Sequence, residues 1–393
     1  MKLKETIYKL SIFLNSKWLL KKPKKSEYLI FDKNCENIVK KFLKKKNTTI
    51  LKTRFEDFYL SFLLKVLLKF KFKNIYFEYQ KSLIEYINPK FIITFTDNNV
   101  VFYKLKKCFP YIKFVSIQNG SRFGLGDFLD SKIKFKNLKK QKLKSDFYIV
   151  LDEFSKLLLS RVFKSKFIVL GSLKNNLIKL KKNKKNKRIL FISQWRDTEK
   201  FLIQDKIYPK KKFYEAENFF LKKVANYCNL KNITLDIKLA TANIKEKNFY
   251  KNELKYNPKS FNLIYHPEIN LRKNYSFLDK YTLVATVDST LGFECIMRGI
   301  KTVFYSTRNF YFKISAKNQP NELSNLVKIK HDLKSFYVNK PIISDKNFNQ
   351  FLDVNYKLPY KEWYQKNSHI VEKFKYFDLR SKNIDDILSV RQS

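Results

Sequence analysis

The strongest constraint on this chain is a rhythm of short runs that are apolar throughout, each closed by a polar loop. The first series is 28–31 (YLIF), 91–95 (FIITF), 113–117 (KFVSI), 147–151 (FYIVL) and 167–170 (FIVL). A second series of strands in a βαβ rhythm is 188–193 (RILFIS), 233–239 (ITLDIKL, which alternates), 262–265 (NLIY), 282–286 (TLVAT) and 301–305 (KTVFY). A strand with one wet face alternates polar and apolar residues. A run apolar on both faces is covered on both, as in a parallel sheet between helices. Helix-period stretches at 55–70, 213–228 and 360–377 supply such cover. The rhythm therefore predicts an α/β chain of two Rossmann-like parallel-sheet domains. After Gly171-Ser172 the composition changes, and 174–188 are mostly Lys and Asn. That tract reads as a solvated interdomain linker. The expected division is 1–172, a linker at 173–188, a second domain at 189–358 and a helical tail at 359–393.

The formal net charge of +47 first suggests nucleic acid. The lysines run along the whole chain, however, together with abundant Asn, Phe, Ile and Tyr. All of these share A/T-rich codons, so genome composition accounts for the bias. No RNP, KH or helix-turn-helix signature is present, which leaves a basic nucleic-acid binder as the non-enzymatic alternative. Cys35, Cys108, Cys228 and Cys295 form no CxxC, and the histidines at 266, 331 and 369 are scattered. Disulfides, a zinc site and a resident cofactor are not expected. The stretch 7–20 is apolar but interrupted by Lys9, Asn15 and Lys17. It predicts an amphipathic helix packed on the first domain, with peripheral contact to the inner membrane face as its other use. No window reaches ~18 uninterrupted apolar residues, so no span is expected and the expected location is the cytoplasm.

The richest chemistry lies in 282–308, TLVATVDSTLGFECIMRGIKTVFYSTR. Ser289-Thr290 falls where a strand turns into a helix, a place that offers backbone N–H groups and hydroxyls to phosphate. Gly292 would allow close backbone approach, and Glu294, one turn in, could accept from ribose or sugar hydroxyls. Ser289 as a plain N-cap is the competing reading. Arg298-Gly299 ends the helix. His266-Pro267 closes the preceding strand. In a parallel sheet the strand ends share an edge, so His266 could reach the ligand held by Ser289 and Thr290 and offset leaving-group charge. Gln194, Trp195 and Arg196 follow the first strand of the second domain and would face the cleft, with Arg196 available for phosphate or for a surface ion pair.

The His-Pro and Ser-Thr pair is similar to the paired motifs of bacterial GT-B sialyltransferases and capsule Kdo transferases. VDSTLGFECIMRGIKTVFYSTR, with IQNGSR at 117–122, DFYIVLDEF at 146–154, VLGSLKNN at 169–176 and ILFISQWR at 189–196, resembles O-antigen and surface-carbohydrate biosynthesis proteins. The resemblance implies a GT-B-like fold with two domains facing a cleft and C-terminal helices crossing back to the first. It implies that His266, Ser289 and Thr290 contact the phosphate of a nucleotide-sugar donor. It also implies that a glycan or lipid-linked acceptor binds the amino-terminal domain, near Gln118 and Asn119. The expected activity is glycosyl transfer to a surface polysaccharide, inverting and metal-independent, since no DxD-type loop stands out. The acidic pair that serves such sialyltransferases as base has no copy here. Related polyol-phosphate transferases place His-Gly where this chain has Asn119-Gly120, and asparagine cannot act as a base. Asp97 and Asp127 are the candidates for that role, Asp97 preferred because a strand end is rigidly held. A CDP-polyol phosphotransferase and a nucleotide-sugar 2-epimerase remain as alternatives on the same architecture.

Overall fold

The computed structural model describes residues 15–389 except 35, 45, 55, 69–73, 121–142, 182–185, 204–205, 257–260, 268–269, 313–335, 339–340, 342–343, 381 and 383. In chain order its first part holds β1 (Lys17–Leu19), β2 (Tyr28–Phe31), α1 (Glu36–Leu43), β3 (Thr48–Leu51), β4 (Asp57–Tyr59), α2 (Leu60–Leu68) and α3 (Ile75–Ile87). There follow β5 (Phe91–Thr94), α4 (Val100–Cys108), β6 (Lys113–Ile117), β7 (Leu143–Val150), α5 (Glu153–Ser160), β8 (Phe163–Val169) and α6 (Leu173–Asn176). The second part starts with β9 (Asn186–Ile192), β10 (Lys200–Ile203), β11 (Lys206–Pro209), α7 (Lys210–Lys231), β12 (Thr234–Lys238), α8 (Ile244–Glu253) and β13 (Phe261–Ile264). It continues with α9 (Leu271–Ser276), β14 (Tyr281–Thr286), α10 (Thr290–Met297), β15 (Thr302–Tyr305), α11 (Arg308–Tyr311) and β16 (Tyr337–Val338). The tail is α12 (Asp345–Lys357), α13 (Tyr360–Val371) and α14 (Ile384–Ser389).

Two six-stranded sheets form, ordered β3-β2-β5-β6-β7-β8 and β13-β12-β9-β14-β15-β16. Every pairing within them is parallel. The all-apolar runs are explained by cover on both faces: each residue of β2 and of β15 is buried. The fold is α/β and GT-B-like, as the rhythm and the resemblance implied.

Three expectations need correction. Residues 17–19, placed in the 7–20 helix, form a strand instead, and residues 1–14 lie outside the described residues. β1 pairs with β4 in parallel, Trp18 opposite Phe58 with their rings stacked at 5.6 Å. That long-range pairing overrides the local helical period. The same pairing shortens the helix expected over 55–70, which begins only at Leu60. The helix expected over 360–377 stops at Val371, because Phe374 bridges to Asp152 of the first lobe.

The lobes share one apolar cluster. Ile30, Ile38 and Val115 of the first lobe join Leu190, Ile192 and Val284 of the second. Leu379, Ile384 and Leu388 of the tail complete it. Each such side chain is worth roughly 1.5–3 kcal/mol when fully buried, so this is a firm junction. The tail does cross back. Tyr28 donates to Asp385 at 2.8 Å, Lys46 pairs with the same carboxylate, and the Leu379 N–H reaches the Asn176 carbonyl at 3.1 Å.

The stretch expected to be a solvated linker begins with the buried α6. Arg298 docks it onto the second lobe. Its guanidinium donates to Asn175 Oδ1 at 2.7 Å and to the carbonyl oxygens of Ile178 and Lys179 at 3.2 and 3.4 Å, while gripping Asp279 at 2.7–2.8 Å. Among the described residues no helix is long and apolar enough to cross a membrane.

Candidate functional site

The carboxyl ends of both sheets open into one cavity of about 540 Å³ between the lobes. This is where an open parallel sheet presents its loops to ligands. From the second lobe the wall is built by successive strand ends: His266 after β13, Lys238-Leu239-Ala240 at β12, Ile192-Ser193 at β9, and Ser289-Thr290-Leu291 after β14. α9 adds Leu271, Asn274 and Tyr275. From the first lobe come Lys33, Asn34, Glu36, Asn37, Ile38 and Lys41 after β2, Asn119 after β6 and Lys174 after β8.

His266 and the Ser289-Thr290 turn thus wall the same cavity, but they are not on neighbouring strands. β12 and β9 lie between β13 and β14. Three strand spacings separate the tips by about 14 Å. That is the span of an extended ligand rather than of one phosphate. The correction is topological. Strands consecutive in sequence sit on opposite sides of β9 because the sheet is wound outward in both directions.

The Ser289 side chain caps α10 by accepting from the Leu291 N–H at 3.3 Å, so the plain capping reading holds for that hydroxyl. Thr290 faces the Gly120 turn of the first lobe. A Cβ on Gly120 would lie 3.2 Å from its Oγ1. Gly292, expected to approach a ligand, instead lets α10 press on the sheet. A Cβ there would meet Thr286 Cγ2 at 2.6 Å and Phe304 at 3.0 Å.

Glu294 lines the cavity but is buried, and its carboxylate is already engaged. Ser172 of the first lobe donates to one oxygen, and Tyr275 donates to the other at 3.0 Å. Burial pushes its pKa above the usual carboxylate value. It therefore acts as a tie between lobes, not as a bare acceptor for sugar hydroxyls. The His266 imidazole packs edge-on against Phe277 at 4.8 Å. Burial, with Lys238, Lys273 and Lys280 nearby, lowers its pKa below the ordinary value. At neutral pH it is an uncharged donor or acceptor.

The remaining candidates fall elsewhere. Asp97 is fully buried and absent from the cavity wall; it accepts from the Tyr148 hydroxyl at 2.9 Å and from the Asn119 N–H at 3.3 Å. Gln118 is buried too, donating to the Gly120 carbonyl at 2.8 Å and to Ser155 Oγ at 3.1 Å, and accepting from the Leu151 N–H at 3.0 Å. Both hold the Gln118-Asn119-Gly120 turn against Thr290. Asn119 itself does line the cavity. Asp127 lies outside the described residues. Arg196 is exposed and off the cavity wall, and only its backbone meets Tyr214. Trp195 is buried under Lys210, whose Nζ is 5.2 Å from the ring centroid. Gln194 accepts from Arg308 at 2.6 Å, in a buried cluster where Arg308 also meets Glu217 and Asp288 at 3.2–3.3 Å.

A second buried cluster braces the cavity floor. Glu246 accepts from Ser193 Oγ at 2.5 Å and from the N–H groups of Ala240 and Thr241 at 2.8 and 2.7 Å. One carboxylate thereby fixes the tips of β9 and β12. Sequence reading missed Glu246, Lys238 and the whole 33–41 wall. A usable signal existed for the last. Residues 33–41 follow the first run, YLIF, at the sheet edge that carries ligands.

Comparison with known proteins places this geometry. A family model described as "putative O-antigen biosynthesis protein" matches residues 115–391, well over half of the chain. No curated protein matches. Among solved structures, the chain is similar to a UDP co-structure of MnaA from S. aureus, with TM-score 0.54 and 12% identity over 93% of this chain and 98% of that one. A Listeria monocytogenes protein described as a "putative UDP-N-acetylglucosamine 2-epimerase" gives TM-score 0.54 and 10% identity over 93% and 96%. A glycosyltransferase from Rickettsia africae ESF-5 gives TM-score 0.50 and 10% identity over 94% and 100%. At these identities the structural likeness shows the fold alone, and that fold is GT-B-like. The chain belongs to the O-antigen biosynthesis family whose model it matches.

Proposed function

We propose that this chain is a glycosyltransferase that moves a sugar from a nucleotide-activated donor to a surface-glycan acceptor. The observation that carries the reading is the cavity between the lobes, walled by His266, Lys238 and the Ser289-Thr290 turn on one side and by Lys33, Lys41 and Asn119 on the other. Its basic residues suit a phosphorylated ligand. The start of α10 adds backbone donors and the positive end of a helix. The similarity to a UDP co-structure agrees with a nucleotide in such a cleft. The donor lies along the second lobe and the acceptor enters from the first. Charge developing on the leaving phosphate is met by the start of α10, while Lys238 and the His266 N–H hold groups further along the extended donor, without a requirement for metal.

Acceptor deprotonation needs a base. Asp97 sits inside the first lobe and serves as a positioning residue for Asn119. The carboxylates on the cavity wall are Glu294, already doubly hydrogen-bonded, and Glu36, on the acceptor side and 3.5 Å from Lys40. Glu36 takes the role of base in this reading.

The test is a thermal-shift series with UDP, CDP, CMP, GDP and dTDP, on wild type and His266→Ala. At least one nucleotide should stabilise the wild type. The variant should bind it about 10–100-fold more weakly, the worth of a hydrogen bond to a charged group. No stabilisation by any of the five, or equal stabilisation of both proteins, contradicts the proposal. Turnover of a nucleotide-sugar without acceptor, giving an epimer, would replace it by the epimerase alternative.

A pH dependence follows from the lowered pKa of His266. A bound diphosphate favours the imidazolium, so the pKa rises on binding and a proton is taken up. Affinity should then grow as pH falls through about 6.5, the ordinary histidine value, and below it. The ligand to use is the nucleotide-sugar, because its doubly esterified diphosphate does not titrate there. Calorimetry on His266→Asn should give a flat profile, and an identical slope in both proteins would remove His266 from the phosphate site.

A further inference from the structure

A surface patch far in sequence from the cavity residues of the second lobe carries its own message. α2, Leu60–Leu68 (LSFLLKVLL), buries Phe62, Leu63 and Val66 against its lobe, yet its outward face, beside Ser61 and Lys65, also carries two leucines. Leu64 is 48% and Leu68 77% exposed, one helical turn apart. A surface helix normally turns polar residues outward, so two exposed leucines on this face are unusual. Beside α2, the pairing of Leu19 with Tyr59 brings the end of β1 to the start of the helix. There Leu20 is 80% and Trp18 38% exposed.

The rim of the patch is cationic. Lys22 and Lys25 stand over the Tyr86 ring at 5.7 and 5.3 Å, and Tyr86 packs on Phe62 of α2 at 5.1 Å. Lys65 projects from the helix itself. Neither 15–25 nor 60–68 contains an acidic residue. A protein partner with an apolar face would meet these ammonium groups at a cost. A bilayer with anionic headgroups meets both parts, burying the leucines at the acyl boundary while the lysines stay at headgroup level. With nine residues, α2 is about 13 Å long against a ~30 Å hydrocarbon core, so it can lie in the interface but not span it.

We propose that the exposed face of α2, with Trp18 and Leu20, is a docking surface for an anionic phospholipid membrane. This holds independently of the nucleotide reading.

The test is flotation of the full chain with vesicles of phosphatidylcholine alone and of an equimolar phosphatidylcholine–phosphatidylglycerol mixture. The wild type should float with the mixed vesicles, weakly or not at all with the neutral ones, and less as salt rises. Leu64→Gln/Leu68→Gln should weaken binding about tenfold or more, since it removes the inserted apolar area. Both side chains point outward, so its melting temperature and its response to nucleotide should match wild type, which separates this claim from the proposed function. Lys22→Gln/Lys25→Gln should lose the preference for phosphatidylglycerol. Wild-type protein that stays with the buffer at low salt overturns the proposal. So does a leucine variant that floats like wild type. A wild-type dimer in vesicle-free buffer that the leucine variant dissociates also overturns it, because the patch would then belong to a second copy of the chain.

Discussion

Arg298→Met is expected to cost about 3–5 kcal/mol of unfolding free energy, the penalty for stranding one partner of a buried ion pair. Arg298 and Asp279 are both buried, and the guanidinium also serves Asn175 and two carbonyl groups of the interlobe segment. Methionine fills much of the volume but leaves the Asp279 carboxylate without its cation and the carbonyls without donors. Guanidinium denaturation, followed by tryptophan fluorescence, gives the number. Arg298→Met/Asp279→Leu should recover part of the loss, because no uncompensated charge then remains inside. A single variant within about 1 kcal/mol of wild type would mean that this segment is not docked as described.

The second large effect is expected at Gly171. Its φ is +82°, in the left-handed region where a side chain is strained. A Cβ would also run into the carbonyl oxygen of Lys375, on the tail as it crosses back. The strained backbone costs roughly 1–2 kcal/mol. Overpacking against a fixed carbonyl adds about 1–3 kcal/mol. Gly171→Ala should therefore lower the melting temperature by several degrees. It should also make residues 372–389 the first site of limited proteolysis, since relief comes most easily by moving the tail. Unchanged melting and an unchanged cleavage pattern would show that the tail does not press on Gly171.

The two-sheet plan was legible because its physical cause is local. Runs such as YLIF and TLVAT are apolar on both faces, and both faces are covered. Gly299 after Arg298, with φ +71°, was readable as the end of α10, and Ser289 as its start. His266, Thr290 and Asn119 reach the cavity because carboxyl ends of parallel strands share an edge.

What was not legible depends on pairing at long range. The sequence does not say that β13 is an edge strand, which is why His266 was placed beside Ser289 rather than across β12 and β9 from it. Nothing local distinguishes Asp97 as an exposed base from Asp97 as the partner of Tyr148, fifty-one residues away. Glu294 was read as an acceptor for ribose or sugar hydroxyls one turn into the helix, and the groups that occupy it come from residues 172 and 275. The β1–β4 pairing likewise joins segments forty residues apart and turns an apparent helix into a strand.

The most direct measurement is a crystal structure of the protein soaked with the nucleotide that stabilises it best. The account predicts the diphosphate at the mouth of the interlobe cavity, against the backbone of Ser289-Thr290 and toward Lys238, with His266 within hydrogen-bond distance of a phosphate or ribose oxygen. A nucleotide bound outside that cavity, or inside it with its phosphates turned away from the start of α10, would contradict the account.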